Sequence, residues 1–193
     1  MARLIDGSKL ARIHAATLEL VVEKGYGGAS TSAIAKKAGV AEGYLYRFYS
    51  GKQDLVTSLL RANINHLIVR LNEFLVLHPN IIKVIELLIE ELFLLAETMQ
   101  DEIRFIHVLM HEYNFQISGS QREEIRILCE KIIAFGISRG DFNPDLTVEE
   151  VYSMVIIYPI EFINLRIKGF FGNNGWNEAE KRKVVDFCLN SLK

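Results

Sequence analysis

The chain is 193 residues long, half of them hydrophobic, with 22 Lys or Arg against 24 Asp or Glu and a formal net charge of −2. That apolar fraction excludes an intrinsically disordered protein, and the length allows one large or two small domains with real cores. The near-neutral sum conceals an uneven distribution. Residues 1–52 hold eight Lys or Arg against four Asp or Glu, a balance of +4, which leaves 14 against 20, or −6, for residues 53–193. A basic N-terminal quarter is what approach to a polyanion requires.

Arg3, Asp6, Lys9 and Arg12 interrupt any apolar stretch near the start, so no secretory signal is expected. Glu86, Glu90 and Glu91 break the apolar run 81–99, and Glu161 with Arg166 breaks 151–171, so neither reads as a membrane span. A soluble cytoplasmic protein is expected. Cys129 and Cys188 are too few and too far apart for a disulfide framework or a zinc knuckle, and read as buried free thiols. Only three prolines occur, Pro79, Pro144 and Pro159, and strand-like alternation is absent, which predicts an all-α fold.

The first predicted helix carries Ile13, Ala16, Leu18, Val21, Gly25 and Tyr26. Next, the hydroxyl residues Ser30, Thr31 and Ser32 open a second helix, because their oxygens accept from orphan backbone N–H groups. Ile34, Ala35 and Ala38 line its inner side, while Lys36 and Lys37 stay in water. Gly39 ends it, since glycine adopts the left-handed conformation at little cost, and Val40 plugs the corner. A third helix, from about Ala41 to Phe48, points Leu45 and Tyr49 inward and shows Glu42, Gly43, Tyr44 and Arg47.

Two helices joined by a tight glycine turn make a helix-turn-helix, whose second helix enters the DNA major groove. Arg47 has the fork that matches guanine, Glu42 an acceptor for a cytosine amino group, and Tyr44 a hydroxyl or a ring to offer; with Gly43 these are the candidate base contacts.

A fourth helix from Lys52 to Leu77 carries Leu55, Leu59, Leu60, Ile64, Leu67, Ile68 and Leu71 and stops before Pro79. Asn80 caps a fifth, running to about Met99, and Asp101 starts a sixth that ends near Ile117. Capping boxes at Ser120/Glu123, Thr147/Glu150 and Asn177/Glu180 predict helices over 121–139, 148–171 and 178–192. The total is nine. The helix over 148–171 is apolar around more of its circumference than one core-facing stripe needs, through Val151, Met154, Val155, Ile157, Ile160, Phe162 and Ile163. With Val184, Val185, Phe187 and Leu189 of the last helix it predicts a homodimer through a two-fold four-helix interface over 148–171 and 178–192.

Over roughly its first quarter the chain resembles the tetracycline-repressor (TetR) family of bacterial transcription regulators. The resemblance rests on Thr31, Ile34, Ala35, Ala38, Gly39, Val40, Gly43, Leu45, Tyr46, Tyr49, Lys52 and Leu55 at the family's spacing, with the upstream helix in support. The segment RGDFNPDL, 139–146, is similar to the family's loop between its seventh and eighth helices. Ala41 departs from the family's frequent Ser or Thr and removes a cap worth about 1 kcal/mol. Phe48 and Tyr49 replace the usual His-Phe or Tyr-Phe pair and move the hydroxyl by one position.

The resemblance implies a DNA-binding domain over 1–51, an effector-binding and dimerisation domain over 52–193, nine helices and no cofactor. It also implies a repressor that leaves a pseudo-palindromic double-stranded operator when a small apolar or amphipathic effector binds. Thr31, Tyr46 and Lys52 match positions that hold phosphate, and Lys36 is a further phosphate candidate. The effector pocket is expected to draw on Phe105, His107, Met110, His111, Tyr113, Phe135, Tyr152, Tyr158, Glu161 and Phe162, with core packing as the alternative for each except Glu161, whose alternatives are a solvent-facing position or a dimer contact. Two other functions stay open. His107 and His111 lie four apart with Glu112 adjacent, the beginning of a metal site in a helical enzyme, but the order is wrong for a zinc protease and no third ligand is placed, so no metal is expected. The remaining alternative is a helical interaction protein without DNA binding.

Overall fold

The computed structural model describes residues 7–172 and 174–193, and all regular structure among them is helical. Arg3 and Asp6, part of the case against a secretory leader, lie outside the described residues. No described helix is long and apolar enough to cross a membrane. The helices are α1 (Gly7–Gly28), α2 (Thr31–Ala38), α3 (Glu42–Leu45), α4 (Lys52–Leu77), α5 (Ile81–Thr98), α6 (Gln100–Met110) and α7 (Gly119–Ser138). They are followed by α8, which joins Val148–Val151, Tyr152–Ile157 and Tyr158–Ile167 without a break, and by α9 (Glu178–Asn190), nine among the described residues.

The chain divides into two compact units. One runs to Ala62 and takes in Arg104–Ile117; the other comprises Asn63–Ile103 and Ser118–Lys193. The first therefore extends past residue 51, because Leu55, Val56, Leu59 and Leu60 at the start of α4 are buried within it. There α1 lies on α2, and Ile13, Ala16, Leu20, Val21, Ile34, Ala35 and Ala38 are all buried. The small Ala35 and Ala38 let the two backbones approach.

Helix α6 stops at Met110 and does not reach Ile117. The His111 and Glu112 N–H groups donate to the Val108 and Leu109 carbonyls at 3.3 and 3.4 Å, the i→i+3 pattern of a tightening last turn. The Glu112 carboxylate then accepts from the Asn114 N–H at 3.2 Å, turning the chain so that Phe115 buries its ring edge-on against Tyr26, with centroids 5.2 Å apart. Apolar residues continue past the helix end because Phe115 is a core residue of the following turn.

In the second unit α5 packs against α7, α8 and α9, and Val84, Ile85, Leu88, Ile89 and Leu92 along it are fully buried. At about 1.5–3 kcal/mol per buried side chain, this stripe outweighs any single cap or surface ion pair. The capping boxes at Thr147/Glu150 and Asn177/Glu180 form as the sequence predicts. The box at α7 is instead Ser118/Gln121, and that helix starts two residues early. Gln121 is fully buried and reaches back to Ser118, whereas Glu123 stays outside and accepts from Arg126 at 2.8 Å.

Pro159 has no N–H to offer the carbonyl four residues back, and α8 stays continuous by widening into a π-helix over Tyr152–Ile157 just before it. The same helix ends at Ile167, short of Phe171. Gly169 turns left-handed at φ 60° and the Phe170 N–H reaches back to the Leu165 carbonyl at 3.0 Å. A side chain at 169 would also meet the Asn174 side-chain oxygen. α9 stops at Asn190, two residues before the expected end.

Candidate nucleic-acid interface

Helix α2 is closed at both ends as its residues require. Ser30 Oγ accepts from the Ala33 N–H at 3.1 Å, and Gly39 takes φ 65°, ψ 39°, which brings the Val40 N–H onto the Ala35 carbonyl at 3.0 Å. Helix α3 follows after one turn, but Ala41 stands at its cap with no side chain to accept, and only Glu42–Leu45 are α-helical. The Arg47 and Phe48 N–H groups continue the track on Tyr44 and Leu45 carbonyls at 3.4 and 3.0 Å. The expected helix to Phe48 is thus a short α-turn with a tighter tail, because its N-terminal donors lack a cap. Packing holds it in place: Leu45 is buried, and the Tyr49 hydroxyl meets His14 Nε2 of α1 at 2.7 Å.

The outward face falls into two clusters. In the first, the Tyr44 ring has Arg47 above it at 5.5 Å and Lys9 of α1 at 5.6 Å, with Phe48 tilted against it at 5.2 Å. Two cations, Lys9 and the exposed Arg47, and an aromatic ring thus sit beside exposed Gly43. Lys9 escaped the sequence reading, because its place beside Tyr44 is set by how α1 is folded and by no local spacing.

In the second cluster, Thr31 Oγ1 donates to Glu42 Oε1 at 2.8 Å and lies 3.3 Å from the Tyr46 hydroxyl. Two predicted phosphate contacts and one predicted base contact are therefore in touch with one another. Tyr46 is 54% exposed, so it is not a core residue. The Glu42 carboxylate braces α3 against the start of α2, and an acid in the first turn of a helix also complements its N-terminal dipole.

The remaining cations differ in availability. Lys37 is tied to Glu19 of α1, with Glu23 at 3.8 Å, and the hydrogen bond it donates to Glu19 holds its ammonium above the usual lysine range. Lys36 beside it is exposed. Lys52, at the N-terminus of α4, donates to the Tyr26 carbonyl at 2.8 Å and lies 4.1 Å above the Tyr26 ring, which fixes its charge at a helix end suited to anions.

The expected effector residues fall in both units. In the first, Phe105 is fully buried, Met110 and His107 are half-buried, His111 is exposed, and Tyr113 is 99% exposed. Tyr113 lines no interior wall of its unit, since the turn after Met110 carries it out. In the second, Phe135 lies under Arg139 at 5.3 Å, Phe162 stands edge-on to Phe93 at 6.1 Å, Tyr158 packs on Phe187 at 4.6 Å, and Glu161 is half-buried. Burial raises the Tyr152 phenol above its ordinary range, with Cys129 nearby adding to the effect. A groove of about 470 Å³, open to solvent, lies between the end of α8 and the start of α9; Arg166, Trp176 and Glu180 are among the residues that line it, and the predicted effector residues are not. The His107/His111/Glu112 grouping loses its carboxylate: Glu112 Oε1 accepts from the backbone and side chain of Asn114.

Comparison with known proteins covers both the head and the whole chain. Residues 13–59 match the family described as bacterial regulatory proteins, tetR family. The fatty acid metabolism regulator protein of Bacillus subtilis (strain 168) is 25% identical over 150 residues, covering 76% of this chain and 77% of that one. Among solved structures, a TetR family transcription regulator from Marinobacter aquaeolei VT8 superposes with a TM-score of 0.79 at 14% identity, covering 97% of this chain and 96% of the other. FadR from Bacillus subtilis, solved in complex with stearoyl-CoA, gives 0.74 at 21% identity over 95% and 100%. The capped α2, glycine turn and cationic α3 face fall within the segment that matches the tetR family, the all-helical fold is shared with TetR-family structures, and together they lead to one conclusion: the protein is a DNA-binding transcriptional regulator.

Proposed function

We infer that the protein is a cytoplasmic, homodimeric repressor that holds a pseudo-palindromic operator through α3 and leaves it when an amphipathic effector with a long acyl chain binds. The observation that carries the DNA half is the Lys9–Tyr44–Arg47 cluster on the exposed face of α3, beside Thr31 and Tyr46. In this reading residues 1–51 act as the DNA-binding domain and 52–193 bind the effector and the second copy. Arg47 and Tyr44 contact base edges with Gly43 allowing close approach, while Lys36, Thr31, Tyr46 and Lys52 hold phosphates. Glu42 serves chiefly as a brace for Thr31, and reaches a cytosine amino group only if that hydrogen bond is released. Two α3 helices of a dimer meet successive major grooves about 34 Å apart.

Support for the dimer comes from the outer side of α8 and α9, where Phe187 is 53% exposed and stacked on Tyr158. Support for an acyl effector comes from the relatives, one named for fatty acid metabolism and one solved with stearoyl-CoA. Release requires that the effector bind the DNA-incompetent state more tightly than the competent one. The test is fluorescence anisotropy on an operator found by selection from randomised duplexes, with and without long-chain acyl-CoA. Release by acyl-CoA but not by free CoA is expected; indifference to both sinks the effector class and leaves the DNA reading standing.

A further inference from the structure

The first unit contains a histidine pair that the DNA-reading surface does not use. His107 and His111 stand one turn apart at the C-terminal end of α6, with ring centroids 4.7 Å apart and planes at 59°. Each presents a ring nitrogen, and the two nitrogens lie within 4.8 Å of one another. Residues four apart on a helix share a face, so the backbone already places both rings on one side. Tetrahedral Zn²⁺, bound at about 2.0–2.1 Å, needs its two nitrogens about 3.4 Å apart, and a turn of the exposed His111 ring closes the difference. A cation there also meets the carbonyl end of α6, where the helix dipole is negative. Imidazole nitrogen selects the borderline divalent ions over Mg²⁺ or Ca²⁺. We propose that His107 and His111 form a clamp for a divalent transition-metal ion of the Zn²⁺ class, water completing its coordination.

The consequence of occupancy follows from where the clamp sits. It spans the last turn of α6, whose closing hydrogen bonds are the long ones at 3.3 and 3.4 Å. That turn delivers the next residues to the DNA-reading unit. Phe115 packs on Tyr26, and the Gln116 carbonyl accepts from Gln53 Nε2 at 3.1 Å. Gln53 Oε1 accepts from the Tyr26 hydroxyl at 2.6 Å, and the Tyr26 carbonyl accepts from Lys52 at 2.8 Å. All these groups belong to one compact unit. Metal binding stiffens the end of α6, and so the latch that orients Lys52 at the head of α4. This coupling rests on the DNA-binding reading; the metal site itself does not.

Full-length protein stripped of metal and titrated with Zn²⁺ by calorimetry, and with Co²⁺ by visible absorption, tests the site. One ion per chain is expected. Loss of a mere hydrogen-bond partner of a metal ligand costs on the order of 10- to 100-fold in affinity, so His107→Gln and His111→Gln are each expected to lose at least about 100-fold. Because His111 is exposed, its variant keeps the wild-type circular dichroism melt in the absence of metal. No saturable binding by the wild type, or wild-type affinity retained in both variants, overturns the site. Operator affinity with and without Zn²⁺ is expected to differ by at least about fivefold in the wild type and not in His111→Gln. Equal affinities in the wild type overturn the coupling. Operator binding by metal-free protein separates the failure of either claim from failure of the DNA reading.

Discussion

At the start of α8 the Thr147 hydroxyl accepts from the Glu150 N–H at 3.2 Å while the Glu150 carboxylate accepts from the Thr147 N–H at 2.8 Å, whereas α3 starts on Ala41, with nothing to accept. The first helix runs over 148–167; the second keeps α-helical geometry only over Glu42–Leu45. A self-capped helix carries much of its own stability. The reading helix has too few residues to be stable alone, so its position is borrowed from neighbours: Leu45 in the core, Tyr49 on His14, Glu42 on Thr31. The element proposed to meet DNA is thus more dependent on what surrounds it than the self-capped element of the body.

Leu45→Ala breaks the comparison most severely. Removing a fully buried leucine costs about 2–5 kcal/mol, and because α3 has no cap to fall back on, operator binding should vanish along with the head's cooperative melt, read by circular dichroism and anisotropy. Arg47→Ala leaves the fold alone. It should cost operator affinity about 1–3 kcal/mol and relax specificity at one base pair, with the melting temperature unchanged. Thr147→Ala has the reverse outcome: about 1 kcal/mol of stability is lost, visible in a thermal melt, while operator affinity in excess protein stays the same.

Ala41→Ser sharpens the comparison from the other side. Giving α3 the cap that α8 has should add about 0.5–1 kcal/mol and extend protection from hydrogen exchange through Tyr46. A smaller effect separates the two helices by pH. Hydrogen bonds from Thr147, the backbone first, hold the Glu150 carboxyl below its ordinary range, as the Asn177 backbone and then Arg166 hold Glu180. A depressed carboxyl contributes stability above its unfolded value of 4.5 and loses it as pH falls through the folded value. The starts of α8 and α9 should therefore loosen in mild acid, in amide-exchange measurements, without a matching change at the capless α3.

The uneven legibility of the sequence has the same origin. Ser30, Gly39 and the span from Lys52 to Leu77 were readable because caps, left-handed glycines and helical periodicity act over a few residues. The box at α7 was misplaced by two residues because Ser118/Gln121 and Ser120/Glu123 satisfy the same local rule, and only the burial of Gln121 decides between them. Lys9 over Tyr44 and His14 on Tyr49 join residues 35 positions apart, beyond any local pattern. Tyr113, a pocket candidate through the family resemblance, is exposed because the chain turns at Glu112. Cys129 and Cys188 were read as buried thiols and are so, with burial pushing them up to about 11 and about 12.

The central claim is that the short, capless α3 reads DNA through Arg47 and Tyr44. Selection from randomised duplexes with the wild type and with Arg47→Ala, compared side by side, addresses it most directly. The account predicts a pseudo-palindromic site in the wild-type pool, with one base pair of each half-site losing its preference in the variant pool. An absence of any enriched site, or an identical site in both pools, would contradict it.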